Sequence, residues 1–539
     1  MPLLVPEGPD EDNAFRNFSP VTVHFVKSLL LKLDVSKCGG PDNICPAILK
    51  AASAVIAPSL CRLFNLTLQQ GVVPRFLKSA NITPIPKPNR DANIVENYRA
   101  ISLTPVLSKL LESIVRQQLL DYCNEDNLFH DAQYGFRKGR SCEDVILVCT
   151  EKWRRARDQG KTVAVAFLDL SKAFDNVSHQ RLLSKLKSHR ISGTVLLWFA
   201  DYLSERSQRV TINGSSSNCA PVQKGVPQGS VLGPTLFNVY VSHIPGVVHD
   251  TSAEVPSYAD DLTIFAIDKS PGRAISNVYN ALAVISTELE NDGLTLNMIK
   301  SCSMVLTKDD SGVQPITCRG QVLRAVPHAR LLGPEVDSQL TWEHQTRLMS
   351  AKISRKIGVL RRARRHLSPQ AKGLFLLSVI LPDFDYACTS IACGLSAAAR
   401  NRLSALERRA VRVACDAGYT DDCSPMYDHL KITPLEERWC TKFALTAYQC
   451  THHLRAPSVC NLLSPASGST RHANTCGVIP PRCRTKTGVN SFANRASLLW
   501  NALPSSVRSL NFPHFKSFVL ARNAMKPYMP LLFDCVSDI

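Results

Sequence analysis

Three carboxylates are the residues of this 539-residue chain best placed to do chemistry. Asp169 closes an apolar run, Val163-Ala164-Val165-Ala166-Phe167-Leu168, whose alternation and Val, Ala and Phe content predict a buried strand. Asp260 and Asp261 stand in Tyr258-Ala259-Asp260-Asp261, ahead of Leu262-Thr263-Ile264-Phe265, which predicts a hairpin with its turn at the two acids. Acids at the ends of buried strands are costly unless they are solvated, paired or bound to cations. Three of them converge if the two strands pair. Carboxylate oxygens suit Mg²⁺, which is usually held together with substrate phosphates. Two such ions about 3.5–4 Å apart would clamp the attacking and leaving oxygens of an in-line phosphoryl transfer. An isolated Asp-Asp pair reads more simply as a turn, because Asp is common there. The surrounding residues decide between the two.

Phe167-Leu168-Asp169-Leu170-Ser171-Lys172-Ala173-Phe174-Asp175 resembles the first catalytic motif of reverse transcriptases, and Tyr258-Ala259-Asp260-Asp261 resembles their Y-x-D-D box. Between them, Gly225-Val226-Pro227-Gln228-Gly229-Ser230-Val231-Leu232-Gly233-Pro234 resembles their template- and nucleotide-contacting motif. The order and separation also fit. Further segments are similar to the non-LTR retrotransposon (LINE-type) branch. They include Ile82-Thr83-Pro84-Ile85-Pro86-Lys87-Pro88, Asn97-Tyr98-Arg99-Ala100-Ile101-Ser102-Leu103, Gln133-Tyr134-Gly135-Phe136-Arg137-Lys138-Gly139-Arg140-Ser141 and Leu294-Thr295-Leu296-Asn297-Met298-Ile299-Lys300-Ser301. Near the end, Leu499-Trp500-Asn501-Ala502-Leu503-Pro504 resembles jockey-like arthropod elements.

The resemblance implies roles residue by residue. Asp169 and Asp260 would hold most of two Mg²⁺ ions (Mn²⁺ as an alternative), with Asp261 secondary and the carbonyl of Leu170 as a further ligand. Phe174 is either a core aromatic or a ring that collides with a 2′-OH and selects dNTPs. Asp175 is expected to be structural, capping the helix that follows. Gln228 would touch the incoming nucleotide, with Gly225 and Gly229 allowing close backbone approach. Arg99 and Lys87 would meet the triphosphate, the Arg through its planar fork of donors. Lys300 is either a surface lysine or a general acid near the departing pyrophosphate. Arg137, Lys138 and Arg140 would contact template phosphates, which positions a strand without reading its sequence. Lys352, Arg355, Lys356, Arg361, Arg362, Arg364 and Arg365 would lie on a thumb helix along the duplex, where such charges make binding steeply salt-dependent.

These residues need a scaffold, and the chain has the material for one. Hydrophobic residues make up 45% of it, which excludes wholesale disorder. A net charge of +18 favours a polyanionic partner. The N-terminus has no signal-peptide pattern, and the longest apolar run, residues 374–381, is too short to span a bilayer, so no membrane partner is expected. Nineteen cysteines without a C-x-x-C pair read as reduced, intracellular thiols. Cys440, Cys450, His452, His453, Cys460, Cys476 and Cys483 fit no standard zinc spacing and read mainly as buried thiols.

Periodicity predicts helices over residues 21–33, 45–70 (stopping at Gly71), 105–121, 172–189 and 274–289. Residues 80–88 read as an edge strand because of their prolines. Strands and helices mix without strict alternation, so the expected fold is α+β. With the resemblance it becomes a right-hand polymerase: an N-terminal extension (1–80), fingers and palm with an antiparallel sheet (81–345), a helical thumb (346–420) and a mainly helical C-terminal region (421–539).

Two departures from the family pattern stand out. Pro334 falls where a strand usually continues, so it should remove a ladder hydrogen bond near the primer grip. No room precedes residue 21 for the endonuclease domain that family members often carry, so that domain is expected to be missing. The expected activity is RNA-templated addition of dNTPs to a DNA primer 3′-OH, in the nucleus or a cytoplasmic ribonucleoprotein. The alternatives are a catalytically idle, nucleic-acid-binding relic of such an element, or an intron-type maturase. The maturase fits the Trp500-Asn501-Ala502-Leu503-Pro504 ending less well.

Overall fold

Thr162–Leu168 is buried at every position, so it needs strands on both sides and cover on both faces. A computed structural model of the chain supplies them; it describes residues 14–88, 90–307, 314–466 and 477–533, with Leu3 and Val5. Of the described residues, 52% are helix and 14% strand. It forms two compact units interleaved in sequence. The first comprises Met1–Phe136, Leu170–Val247 and Val284–Asn297; the second comprises Arg137–Asp169, Val248–Ala283 and Met298–Ile539.

In the second unit, Thr162–Leu168 pairs antiparallel with Asp261–Asp268 on one side and with Cys302–Leu306 on the other. Ala253–Glu254 and Ser257–Tyr258 complete one edge, and Arg324–Ala325 the other. The helix Cys142–Asp158 covers this sheet. Its Trp153 is fully buried and meets Phe167 and Phe265 edge-on, at centroid distances of 6.3 and 5.9 Å. Ser141 and Asp144 close a reciprocal capping box at its start.

The same helix anchors distant segments of the chain. The carboxylates of Glu143, Asp144, Glu151 and Asp158 accept hydrogen bonds, respectively, from the Ala387 amide, from Arg455, from the Phe492 and Ala493 amides, and from Arg484 and Thr485. Asp144, Glu151 and Asp158 recur every seven residues, so they share one helix face. The C-terminal residues, to which the sequence assigned no chemistry, are thus built onto the helix that covers the central sheet. Asp158 alone accepts from the Arg484 amide (2.9 Å), the Thr485 amide (2.7 Å) and the Thr485 hydroxyl (2.8 Å). Asp158→Ala leaves these donors unmatched and is expected to cost about 3 kcal/mol, read from the urea midpoint of unfolding.

Beyond the sheet the unit is helical. Glu343–Ala363 lies against Ala397–Ala414 and buries Thr346, Met349, Ile353, Ile357 and Leu360. Residues Pro369–Gly394 correct the expectation from the sequence. Within this 26-residue stretch an 18-residue window has a mean hydropathy of 1.4, long and apolar enough to cross a membrane. Half of that window is buried within the protein. The stretch contains a π-helical turn, Leu376–Ile380, and breaks at Ala387, whose φ is +54°. Its helical contacts include the two helices just named, Cys142–Asp158 and Leu435–Thr451. The strict apolar run is short, but counting the whole helical stretch lengthens the window.

In the first unit a sheet runs in the order Tyr98–Leu103, Ser79–Pro86, Ser207–Ile212, Ser215–Ser216, with Ala220–Pro221 also on Ser207–Ile212. Ser79–Pro86 is therefore an inner strand and not the expected edge. Its prolines are tolerated because the parallel pairing with Ser207–Ile212 ends at Ile82, which leaves Pro84 and Pro86 paired on one side only. The helix predicted over 45–70 is two helices, Pro46–Ala51 and Ser53–Gln70, the latter ending at Gly71 as expected.

The helix predicted over 172–189 also divides, into a 3₁₀ turn, Phe174–Asn176, and His179–Ser188. The carbonyls of Phe174 and Val177, which a continuous helix would use, instead accept from the amides of Val226 and Gly225. Ser178, not Asp175, caps the second piece through the Arg181 amide.

Candidate active site

Asp169 follows the last residue of the central strand, and Leu168 pairs with Leu262 just past the Asp-Asp turn. Tyr258 pairs with Asp261, so Ala259 and Asp260 form the tip of a tight hairpin. Ala259 sits at φ +55°, an uncommon conformation for a residue with a Cβ. All three acids therefore stand at one end of the second unit's sheet.

Their electrostatics show how close they are. Burial pushes the Asp260 carboxyl above the usual carboxylate range, and the Asp169 charge adds to this while Lys300 opposes it. The Asp261 carboxyl is raised to about 6, first by desolvation and then by repulsion from Asp260 and Asp169, with Arg330 opposing. Lys300 Nζ lies 3.1 Å from Asp169 Oδ2. The Asp169 amide donates to the hydroxyl of the fully buried Ser301. Ser301 and Arg330 were not singled out in the sequence. Ser301 could have been found as the neighbour of Lys300, whereas Arg330 carries no local signal.

This donor set suits a hard divalent cation: oxygen ligands only, mutually repelling and partly desolvated. It is not a closed cage. Among the described residues no group of three or more His, Cys, Asp or Glu side chains converges tightly enough to hold an ion by itself. The Cys/His stretch forms no such group among the described residues either, and its Cys476 lies outside them.

The first unit holds the other predicted nucleotide contacts. Phe174 is half-buried; it stacks on the fully buried Phe237 at 4.5 Å and meets Phe136 edge-on at 6.5 Å. Gly225, at φ +89°, lies so near the Asp175 backbone that a Cβ would come within 2.9 Å of the Asp175 oxygen. Gly229, at φ +126°, would place a Cβ 2.6 Å from the Ser102 oxygen. Gln228 is tied to the same strand, its carbonyl accepting from the Ser102 amide at 2.7 Å. Residues 225–229 thus strap the Phe174 turn on one side and the strand Tyr98–Leu103 on the other. Leu170 is buried and bridges to Leu296. Arg99 is exposed on the strand opposite Ile85, and Lys87 Nζ donates to the Glu96 carbonyl at 2.7 Å.

The basic residues are distributed less simply than a single charged face. Lys352 and Lys356 both pair with Asp383, at 3.0 and 2.6 Å. Arg355 and Arg362 lie opposite the buried stripe of their helix, and Arg361 and Arg365 are also exposed. Lys138 is exposed in its loop, while Arg137 and Arg140 are half-buried. Pro334 interrupts no ladder. It lies in the turn between His328–Arg330 and Glu335–Asp337, where its carbonyl accepts from the Leu331 amide at 2.9 Å. The expected loss of a strand hydrogen bond does not arise, because the strand has already ended.

An antiparallel palm sheet with acids at one end, a separate β-rich fingers sheet and a basic helix following the palm in sequence make the fold of a right-hand polymerase. Residues 85–346 match the family model described as reverse transcriptase (RNA-dependent DNA polymerase). The probable RNA-directed DNA polymerase from transposon BS of Drosophila melanogaster is 28% identical over 430 residues, 78% of this chain and 47% of that protein. The RNA-directed DNA polymerase from mobile element jockey of the same organism is 29% identical over 377 residues, 68% of this chain and 41% of that protein. Among solved structures, Candida albicans telomerase in complex with a telomeric RNA fragment aligns at a TM-score of 0.37 and 13% identity, covering 68% of this chain and 64% of that one. Residues 85–346 are a reverse transcriptase domain, and its relatives are those of LINE-type, non-LTR retrotransposons. The chain spans about half the length, or less, of the curated relatives it matches.

Proposed function

We propose that the protein is an RNA-directed DNA polymerase that extends a DNA primer 3′-OH with dNTPs on an RNA template. The observation that carries this reading is the convergence of Asp169, Asp260 and Asp261 at one end of one buried sheet. Such a cluster is costly without a cation and useful with one. Asp169, Asp260 and Asp261, with the Leu170 carbonyl, would hold two Mg²⁺ ions, or Mn²⁺. When bound, these ions neutralise the charge that develops as the α-phosphate is attacked and pyrophosphate leaves.

The chain's own residues do the positioning. Lys300, beside Asp169, is placed to give a proton to the departing pyrophosphate. Arg99 and Lys87 bind the triphosphate, and Gln228 the incoming nucleotide. Arg137, Lys138, Arg140, Lys352, Arg355, Arg361, Arg362 and Arg365 hold template and duplex phosphates, of which Lys352 must share its charge with Asp383. The test is extension of poly(rA)/oligo(dT) in Mg²⁺, run beside Asp260→Ala. A folded sample with no extension above that control would leave the idle, nucleic-acid-binding reading.

Phe174 is read as the sugar gate. Its ring is backed by Phe237, so it cannot retreat from a 2′-OH without breaking that stack. Phe174→Ala is expected to raise the ratio of rNTP to dNTP incorporation roughly 10- to 100-fold. The lost stack should also cost about 1 kcal/mol of stability. Competition between UTP and dTTP on poly(rA) measures the first effect, and an unchanged ratio would make Phe174 a core aromatic only.

A further inference from the structure

Glu112 is 1% exposed, in the middle of the helix Val106–Glu125. A buried carboxylate needs donors, and this one has three. The Ser108 hydroxyl donates to Oε1 at 3.0 Å, and the amides of Val231 and Leu232 donate to Oε2 at 2.6 and 3.1 Å. Leu232 is the N-cap of the helix Gly233–Val241 and has no capping side chain of its own. Glu112 therefore supplies negative charge and an acceptor where the helix start exposes free amides. One turn further along the same helix, Arg116 Nε donates to the Thr235 hydroxyl at 3.3 Å.

The segment held this way ends the nucleotide-contacting motif. Ser230 closes a turn on Pro227, its amide and hydroxyl both donating to the Pro227 carbonyl, while its hydroxyl also accepts from the Gly233 amide. Gln228 and Gly229 are the tip of that turn. The tip itself rests on Ser102, and the leg that follows it on Glu112. We infer that Glu112 is a positioning residue for Gln228: by fixing Val231 and Leu232 it sets the height and tilt at which the turn meets an incoming dNTP. The inference rests on the polymerase reading for its consequence, but not for its geometry.

The experiment compares Glu112→Ala, Glu112→Gln and Leu119→Ala with the unaltered full chain. Leu119 is fully buried on the same helix, away from the turn, and controls for general loss of stability. Two readouts are taken: hydrogen exchange of the Val231 and Leu232 amides, and KM and kcat for dTTP on poly(rA)/oligo(dT). Glu112→Ala is expected to speed exchange of these amides by about 100-fold and to raise the KM for dTTP by about tenfold. Glu112→Gln keeps an acceptor for the amides and a donor for Ser108, so it should restore both to near the unaltered values. Leu119→Ala should lower the thermal midpoint with KM unchanged.

The inference is overturned if Glu112→Ala frees the amides without moving KM, or if Leu119→Ala raises KM equally. If Glu112→Ala does not fold, Ser108→Ala, which weakens the same carboxylate's anchoring, is read by the same two measurements. If the unaltered chain extends no primer, the polymerase reading fails, and unchanged exchange in Glu112→Ala would separately refute the anchoring.

Discussion

Asp260→Ala is expected to reduce primer extension by at least about 10³-fold while leaving the thermal midpoint unchanged or raised. The two halves of the prediction have one cause. Asp260 is desolvated at the tip of a hairpin and faces the charge of Asp169, which already raises its carboxyl above the usual range. Removing it relieves repulsion in the free protein, so stability should not fall. On the proposed reading, removing it also takes away a main oxygen ligand for the cations, and neither Asp169, paired with Lys300, nor Asp261 would cover both positions. Stability sacrificed at a functional site in this way is a common trade. The measurement is single-turnover extension of oligo(dT) on poly(rA), beside a thermal melt of the same preparation. Activity within tenfold of the unaltered chain would sink the assignment of Asp260, and a fall in the midpoint of several degrees would mean that the acid has a structural role instead.

Gly229→Ala is expected to have the next largest effect, a loss of at least about 100-fold in kcat/KM for dNTPs, with a measurable loss of stability. A Cβ at this position would lie 2.6 Å from the Ser102 carbonyl oxygen, and the backbone φ of +126° is one that L side chains rarely adopt. The clash is with backbone, so no side chain can swing aside. The turn must lift off the strand Tyr98–Leu103 and carry Gln228 with it, breaking the hydrogen bond from the Ser102 amide to the Gln228 carbonyl. Strain of this kind costs about 1–3 kcal/mol before any contact is lost. Steady-state kinetics against dTTP and urea unfolding read the two consequences. Normal KM and kcat in Gly229→Ala would show that the turn does not have to touch the strand to do its work.

Much of the candidate site was legible because its residues lie inside short, strongly patterned segments. The strand Thr162–Leu168 could be read from its Val, Ala and Phe content, and the hairpin at Asp260 and Asp261 from the short apolar run behind it. Gly225 and Gly229 could be marked as points of close approach from the motif they stand in, although the partners, Asp175 and Ser102, could not. What periodicity misjudged were places where a distant segment takes over local hydrogen bonds. Residues 172–189 look helical throughout, yet Gly225 and Val226 claim the carbonyls of Val177 and Phe174 and split the helix. Pro84 and Pro86 suggest an edge strand, but Ser207–Ile212 adds to that strand just short of them. Pro334 looks like a break in a ladder and is instead the turn that ends one.

Glu112, Ser301 and Arg330 show the limit from the other side. A glutamate in an amphipathic helix is ordinarily a solvated charge, and only the arrival of the Val231 and Leu232 amides makes it a buried anchor. Residue type and spacing marked three acids on a strand and a turn, and the resemblance of the motifs around them implied the polymerase class. That information is local. What holds the chemistry in place emerged only when the chain was folded. Glu143, Glu151 and Asp158, which anchor distant residues, and the glutamate that anchors the Gln228 turn, act on backbone groups that are more than a hundred residues away. Backbone amides are the same in every residue except proline, so nothing in the sequence says which of them a buried carboxylate will meet.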